Sequence, residues 1–189
     1  MVGTEVPHDE GDLVRLCLDG DRSAFDQLVA RHHRGIYNML YRTLGDAEDA
    51  MDLTQEAFLR AYTRLDTFQQ GRSFLAWLRR IAANLCIDHL RRRGQPVASL
   101  EEREEAGMEA SDDRPSASPE DSVTMAEDSR RVLAALQQLP AKQRLVLTLR
   151  HLEGMSLEQI AHALRMPLGT VKVTLFRGRH TMRKLVGEL

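Results

Sequence analysis

Residues 99–122, SLEEREEAGMEASDDRPSASPEDS, constrain what this chain can fold into more than any other stretch. They hold 9 acidic and 2 basic side chains, are rich in serine and proline, and carry almost no large apolar residue. Such a segment cannot bury enough surface to offset the entropy lost on ordering, so it predicts a flexible acidic linker. The 189 residues must then fold as two small units, one on each side of it. Charge divides the same way. Residues 1–98 hold 13 basic and 14 acidic side chains, whereas residues 123–189 hold 11 and 5. A formal net charge of −2 therefore conceals a strongly acidic middle and a basic C-terminal third. That asymmetry implies separate units with separate partners.

Apolar spacing on both sides of the linker is helical, with no strand-like alternation, so the fold class is all-α. In the first unit Phe25, Leu28, Val29, His32, Ile36, Met39 and Leu40 share one helix face, and a break follows at Leu44, Gly45 and Asp46. A second helix turns Ala50, Leu53, Ala57, Phe58 and Ala61 inward. A loop through Thr67–Arg72 leads to a third, with Phe74, Trp77, Leu78, Ile81 and Leu85 on its core face, stopped after Arg91, Arg92 and Arg93 at Gly94. The second unit begins with Val132, Leu133, Leu136 and Leu139, stopped by Pro140, and a helix from about Lys142 to Leu152 ends at Gly154. Ser156 and Gln159 have capping-box spacing, and Pro167 suits the first turn of a last helix. His32 and both cysteines, Cys17 and Cys86, fall on or near apolar faces and are expected to be structural.

Two groups of residues point to function. Leu157 to Arg179 has helix-turn-helix grammar: Ala161 is small enough for two helices to cross, and Val171 locks the second against the first. The outer face of that second helix offers Lys172, Val173, Phe176, Arg177, Arg179 and His180, cations for phosphates and an exposed ring for an apolar base edge. In the first unit, residues 46–66 hold 6 acidic and 2 basic side chains, with Asp49, Asp52 and Glu56 in one stripe. Residues 72–93 reverse the sign, with six arginines against Asp88. Arg80, Asn84, Ile87 and Arg91 line a flank of that helix. One surface suits a basic protein, the other a nucleic acid. Pairing of the two stripes within the fold is the alternative.

The stretch GDAEDAMDLTQEAFLRAY, followed by FLAWLRRIAANLCIDHLRRR, resembles region 2 of extracytoplasmic-function (ECF) sigma factors of the sigma-70 family. LPAKQRLVLTLRHLEGMSLEQIAHALRMPLGTVK resembles their region 4. The resemblance implies region 2 over residues 12–95, a linker over 96–124 and region 4 over 125–187. It implies that Asp49, Asp52, Gln55 and Glu56 bind the beta-prime clamp helices of core RNA polymerase. Phe68, Gln69, Gln70, Arg80, Asn84 and Arg91 would hold the melted minus-10 strand, where unpaired bases can be stacked on and read at their edges. Thr170, Lys172, Val173, Phe176 and Arg177 would read the minus-35 duplex. Further implied partners are the polymerase beta flap and an anti-sigma factor. Trp77 lies on the core stripe and is expected to pack rather than to stack on a base.

The chain departs from the family where TVKSR is common and it reads Thr170-Val171-Lys172-Val173-Thr174, so a hydroxyl and a guanidinium give way to Val173 and Thr174. Arg165 stands where many such turns have glycine, at a strain of about 1–2 kcal/mol if it is left-handed. A sigma-like decoy for an anti-sigma factor, or a free-standing helix-turn-helix regulator, are the other readings. The decoy lacks room for a signal-receiving domain, and the regulator leaves the acidic helix without a task. The seven histidines are scattered, with no metal-ligand or triad spacing, so neither a cofactor nor catalysis is expected. Without a signal peptide or an apolar span, the expected site is the cytoplasm, with no direct membrane insertion.

Overall fold

Short polar side chains set where the helices of the N-terminal unit begin. In the computed structural model, which describes residues 9–94 and 124–187, Asp9 caps α1 (Glu10–Leu18) and Asp21 caps α2 (Arg22–Leu44), each carboxylate accepting from a backbone N–H. Asp46 accepts from the N–H groups of Glu48 and Asp49 at the start of α3 (Ala47–Thr63), and these bonds hold its carboxyl below the ordinary carboxylate range. A 3-10 turn, Leu65–Thr67, and a short loop lead to α4 (Phe74–Arg92), capped by Ser73. Gly45 ends α2 in the left-handed region at φ 76°, a conformation that glycine adopts without strain.

The expected core positions of α2 and α3 are buried, His32 included, and Val29 is half-buried. Apolar spacing does not mark helix α1. Its two fully buried residues, Leu13 and Val14, are too few to make a periodic pattern, yet they dock α1 on α2, where His32 Nε2 stands 2.9 Å from Glu10 Oε1. On α4, Phe74, Leu78 and Leu85 face inward, but so do Ala82, Ala83, Cys86, Ile87 and Leu90. The helix is covered on two sides, by α2 and α3 on one and by the second unit on the other. Burial pushes the Cys86 thiol up to about 12, which leaves it protonated and unreactive.

The second unit comprises α5 (Thr124–Gln138), α6 (Ala141–Leu147) with a π-helical continuation over Thr148–Leu152, α7 (Leu157–Leu164) and α8 (Leu168–Gly187). Ser156 and Gln159 form the reciprocal capping box. Arg165 is left-handed at φ 52°, alone among the described non-glycine residues. Helix α8 crosses α6 at Gly178, where a Cβ would come within 2.9 Å of Leu147 Cδ1. Among the described residues there is no strand, and buried side chains of both units join in one continuous cluster. The linker expected over residues 96–124 falls almost wholly outside the described residues.

Candidate nucleic-acid interface

Helix α8 presents its outer face to solvent. Val173 is 44% exposed and Phe176 46%, with Lys172 and Arg177 exposed beside them. Two large apolar groups left in water between cations suit a surface that meets both base edges and phosphates. Thr170 is half-buried. Thr174 points inward, and its hydroxyl donates to the Thr170 carbonyl at 2.7 Å, so its difference from the family pattern does not reach that face. Val171 is fully buried against the preceding helix, as the turn requires. Arg179 leaves the outer face as well: its Nε donates to His151 Nε2 at 3.2 Å.

The acidic helix is only partly free. Asp52 and Gln55 are exposed, and Glu56 accepts from Arg60 one turn on at 2.6 Å. Asp49, by contrast, is 15% exposed at its side chain, 2.7 Å from Arg93 Nη1 and 3.3 Å from His89 Nε2. It braces α3 against the end of α4. The pairing of opposite stripes thus occurs at Asp49 and spares Asp52 and Gln55. Beyond them the same face continues through Met51, Leu59 and Tyr62, all exposed.

In the loop before α4, Gln69 and Gln70 are exposed, but Phe68 is not. It is 7% exposed and packs edge-on against Phe74 and Trp77, with ring centroids 5.9 and 5.4 Å away. The sequence pattern groups Phe68 with its polar neighbours; the fold uses it as core. Trp77 packs in the same aromatic cluster, as its place on the core stripe indicates. Arg80 and Asn84 are half-buried: Asn84 Nδ2 donates to the Arg80 carbonyl at 2.8 Å, and Arg80 Nη1 lies 3.0 Å from His162 Nε2. Ile87 of the same flank is buried, while Arg91 is exposed near Asp88.

Residues 28–95 match the family model for Sigma-70 region 2, and residues 129–182 match that for Sigma-70, region 4. The chain is 37% identical over 173 residues to the ECF RNA polymerase sigma factor SigW of Bacillus subtilis, covering 90% of this chain and 92% of that protein. It is 38% identical over 180 residues to the RNA polymerase sigma-H factor of Pseudomonas aeruginosa, covering 94% and 93%. The chain belongs to the ECF RNA polymerase sigma factors. Its fold is similar to that of CnrH in complex with the cytosolic domain of CnrY, with a TM-score of 0.64, 26% identity, and 95% of this chain and 99% of that one covered.

As a sigma factor the protein binds core RNA polymerase and promoter DNA and directs transcription initiation. Two features of this sigma factor escape its sequence. One is an apolar trough of about 340 Å³ on region 4, lined by Val132, Leu136, Leu147 and Met182 together with Arg179 and Arg183. The other is a set of polar ties between the two regions, centred on Glu153. Among the described residues, no group of three or more His, Cys, Asp or Glu could hold a metal ion, and no helix is long and apolar enough to cross a membrane.

Proposed function

We propose that this sigma factor divides its work among three surfaces. Asp52, Gln55 and Glu56 of α3 dock on the beta-prime clamp helices, and Asp49 holds that helix in place. Gln69 and Gln70, with Arg80, Asn84 and Arg91 of α4, take the melted minus-10 strand. Thr170, Lys172, Val173, Phe176 and Arg177 of α8 enter the major groove at minus-35, where Val173 favours a base edge that carries a methyl group. The bond-making belongs to the polymerase. The factor works where the polymerase does, in the cytoplasm, by joining two weak DNA contacts into one strong composite.

The apolar trough of region 4 is assigned to the polymerase beta flap, an apolar helix face being what such a trough accommodates. An anti-sigma factor that covers the same faces completes the proposal. CnrH, solved with the cytosolic domain of CnrY, supplies the precedent for a protein partner.

The observation that carries this reading is the outer face of α8, where Phe176 and Val173 stand exposed between Lys172 and Arg177. Transcription by core polymerase plus this chain, on promoters with and without the minus-35 element, tests it. Arg177→Ala should lower transcription about tenfold where the element is present, by loss of a contact of about 1–3 kcal/mol. Core binding should be unchanged. Equal transcription by wild type and variant on a minus-35-dependent promoter would remove α8 from promoter reading.

A further inference from the structure

Glu153 follows the π-helical turn of region 4, and its side chain is only 7% exposed. Among the described residues, the two cations within 4.0 Å of it come from region 2: Arg79 Nη2 at 2.7 Å and Arg42 Nη1 at 3.9 Å. A carboxylate taken out of water is tolerated only while its partners stay with it, so this one is satisfied by the contact between regions rather than by its own region. Neighbouring ties run the same way. Gln137 Nε2 donates to the Arg42 carbonyl at 3.0 Å while its oxygen accepts from Arg144, and Arg80 reaches His162 of α7. Helix α7 packs on α4, where its His162 meets Arg80; Arg80 and Asn84, one turn on, are both half-buried. Asp52 and Gln55 on α3, and Lys172, Val173, Phe176 and Arg177 on α8, stay exposed in the same arrangement.

We infer that Glu153 is a latch: paired with Arg79 and Arg42, it holds regions 2 and 4 in a closed form in which α7 covers the Arg80 end of the single-strand face of α4 and leaves the polymerase-docking and duplex-reading faces open. The masking half of this inference rests on the assignment of Arg80 and Asn84 to the minus-10 strand. The closed form fixes an order of events. Core polymerase can engage α3 while the latch is shut, and opened DNA can engage Arg80 fully only after it releases. A partner that favours the open form pulls the equilibrium by its differential affinity for the two states.

Small-angle scattering of the full chain at low salt reads the latch directly. Glu153→Arg and, separately, Arg79→Glu should each enlarge the radius of gyration, and the charge-swapped pair should return it towards wild type. The two single variants break one ion pair from opposite regions, and circular dichroism confirms that each keeps its helices. No expansion in either folded variant overturns the latch. Masking is read by anisotropy with a fluorescent pool of random-sequence single-stranded DNA. Glu153→Gln should bind about tenfold more tightly than wild type if one molecule in ten is open before the change. Arg79→Glu should also bind more tightly although it adds negative charge, the reverse of what charge alone would do. Expansion without tighter binding overturns the masking. Failure of every form to bind the strand, with core polymerase present too, instead removes the minus-10 assignment, and scattering still decides the latch.

Discussion

His151 sits half-buried at the edge of the region 4 trough, its Nε2 accepting from Arg179. Burial first, then the charges of Arg179 and Arg150, hold its pKa below the ordinary 6.5. Protonation would add a third cation and remove the acceptor. In the unfolded chain neither cost applies, so as the pH falls the unfolded state takes up the proton first. Stability is therefore full above about pH 6.5 and declines as the pH drops through that value. His32, lowered chiefly by its own burial, acts in the same direction. Urea midpoints measured from pH 7.5 to 5.5 should fall in the wild type. His151→Gln, which keeps an acceptor and cannot titrate, should give a shallower fall, with His32 supplying the remainder. An identical slope in both would mean that His151 takes up its proton as readily in the folded chain as in the unfolded one.

At the scale of the helix, α3 separates two carboxylates that look equivalent in sequence. Asp49 and Asp52 share the acidic stripe, yet Asp49 is clasped by Arg93 and His89, and Asp52 stands in water. Asp49→Ala should cost about 1–2 kcal/mol of stability, because it strips a partly buried charge-assisted contact. Asp52→Arg should leave the melting temperature within a degree or two and abolish binding to core polymerase, read by native gel or surface plasmon resonance. Retained binding by Asp52→Arg would displace the docking surface from this part of α3. The difference shows what spacing can and cannot tell. It reads which side of α2 and α3 turns inward, because one apolar stripe against one core leaves a periodic trace. On α4 the trace blurs: Ala83, Cys86 and Ile87 are buried along with Leu78 and Leu85, and a helix packed by α2 and α3 and also by α6 and α7 shows no single face. Phe68 was hidden for a related reason, since a loop residue has no period to mark it as core. Thr174 carries a hydroxyl that suits solvent, but it spends that hydroxyl on its own helix.

The whole molecule joins two regions that could each hold a core of their own. Buried side chains from α1–α4 and from α5–α8 form one cluster, crossed by the Glu153, Gln137 and His162 ties. Little of that boundary could be read from residue types. Glu153 is one of five acids in the basic segment 123–189 and resembles any solvated charge until Arg79 and Arg42 are brought to it from more than seventy positions away in the chain. The arrangement has a thermodynamic consequence. While the regions are latched, opening either one exposes apolar surface on the other and strands Glu153 or its arginines, so the two should unfold together. Salt screens the partly exposed Arg42 more than the Arg79 contact and should loosen the union only slightly, whereas charge reversal breaks it. Calorimetry at low salt should therefore give a single transition for the wild type, with calorimetric and van't Hoff enthalpies in agreement. Glu153→Arg should split it into two transitions, the region 2 transition keeping the His32-dependent fall with pH and the region 4 transition the His151-dependent one. Two transitions already resolved in the wild type would mean that the regions meet without sharing stability, and that their contact is too weak to order the steps of promoter opening.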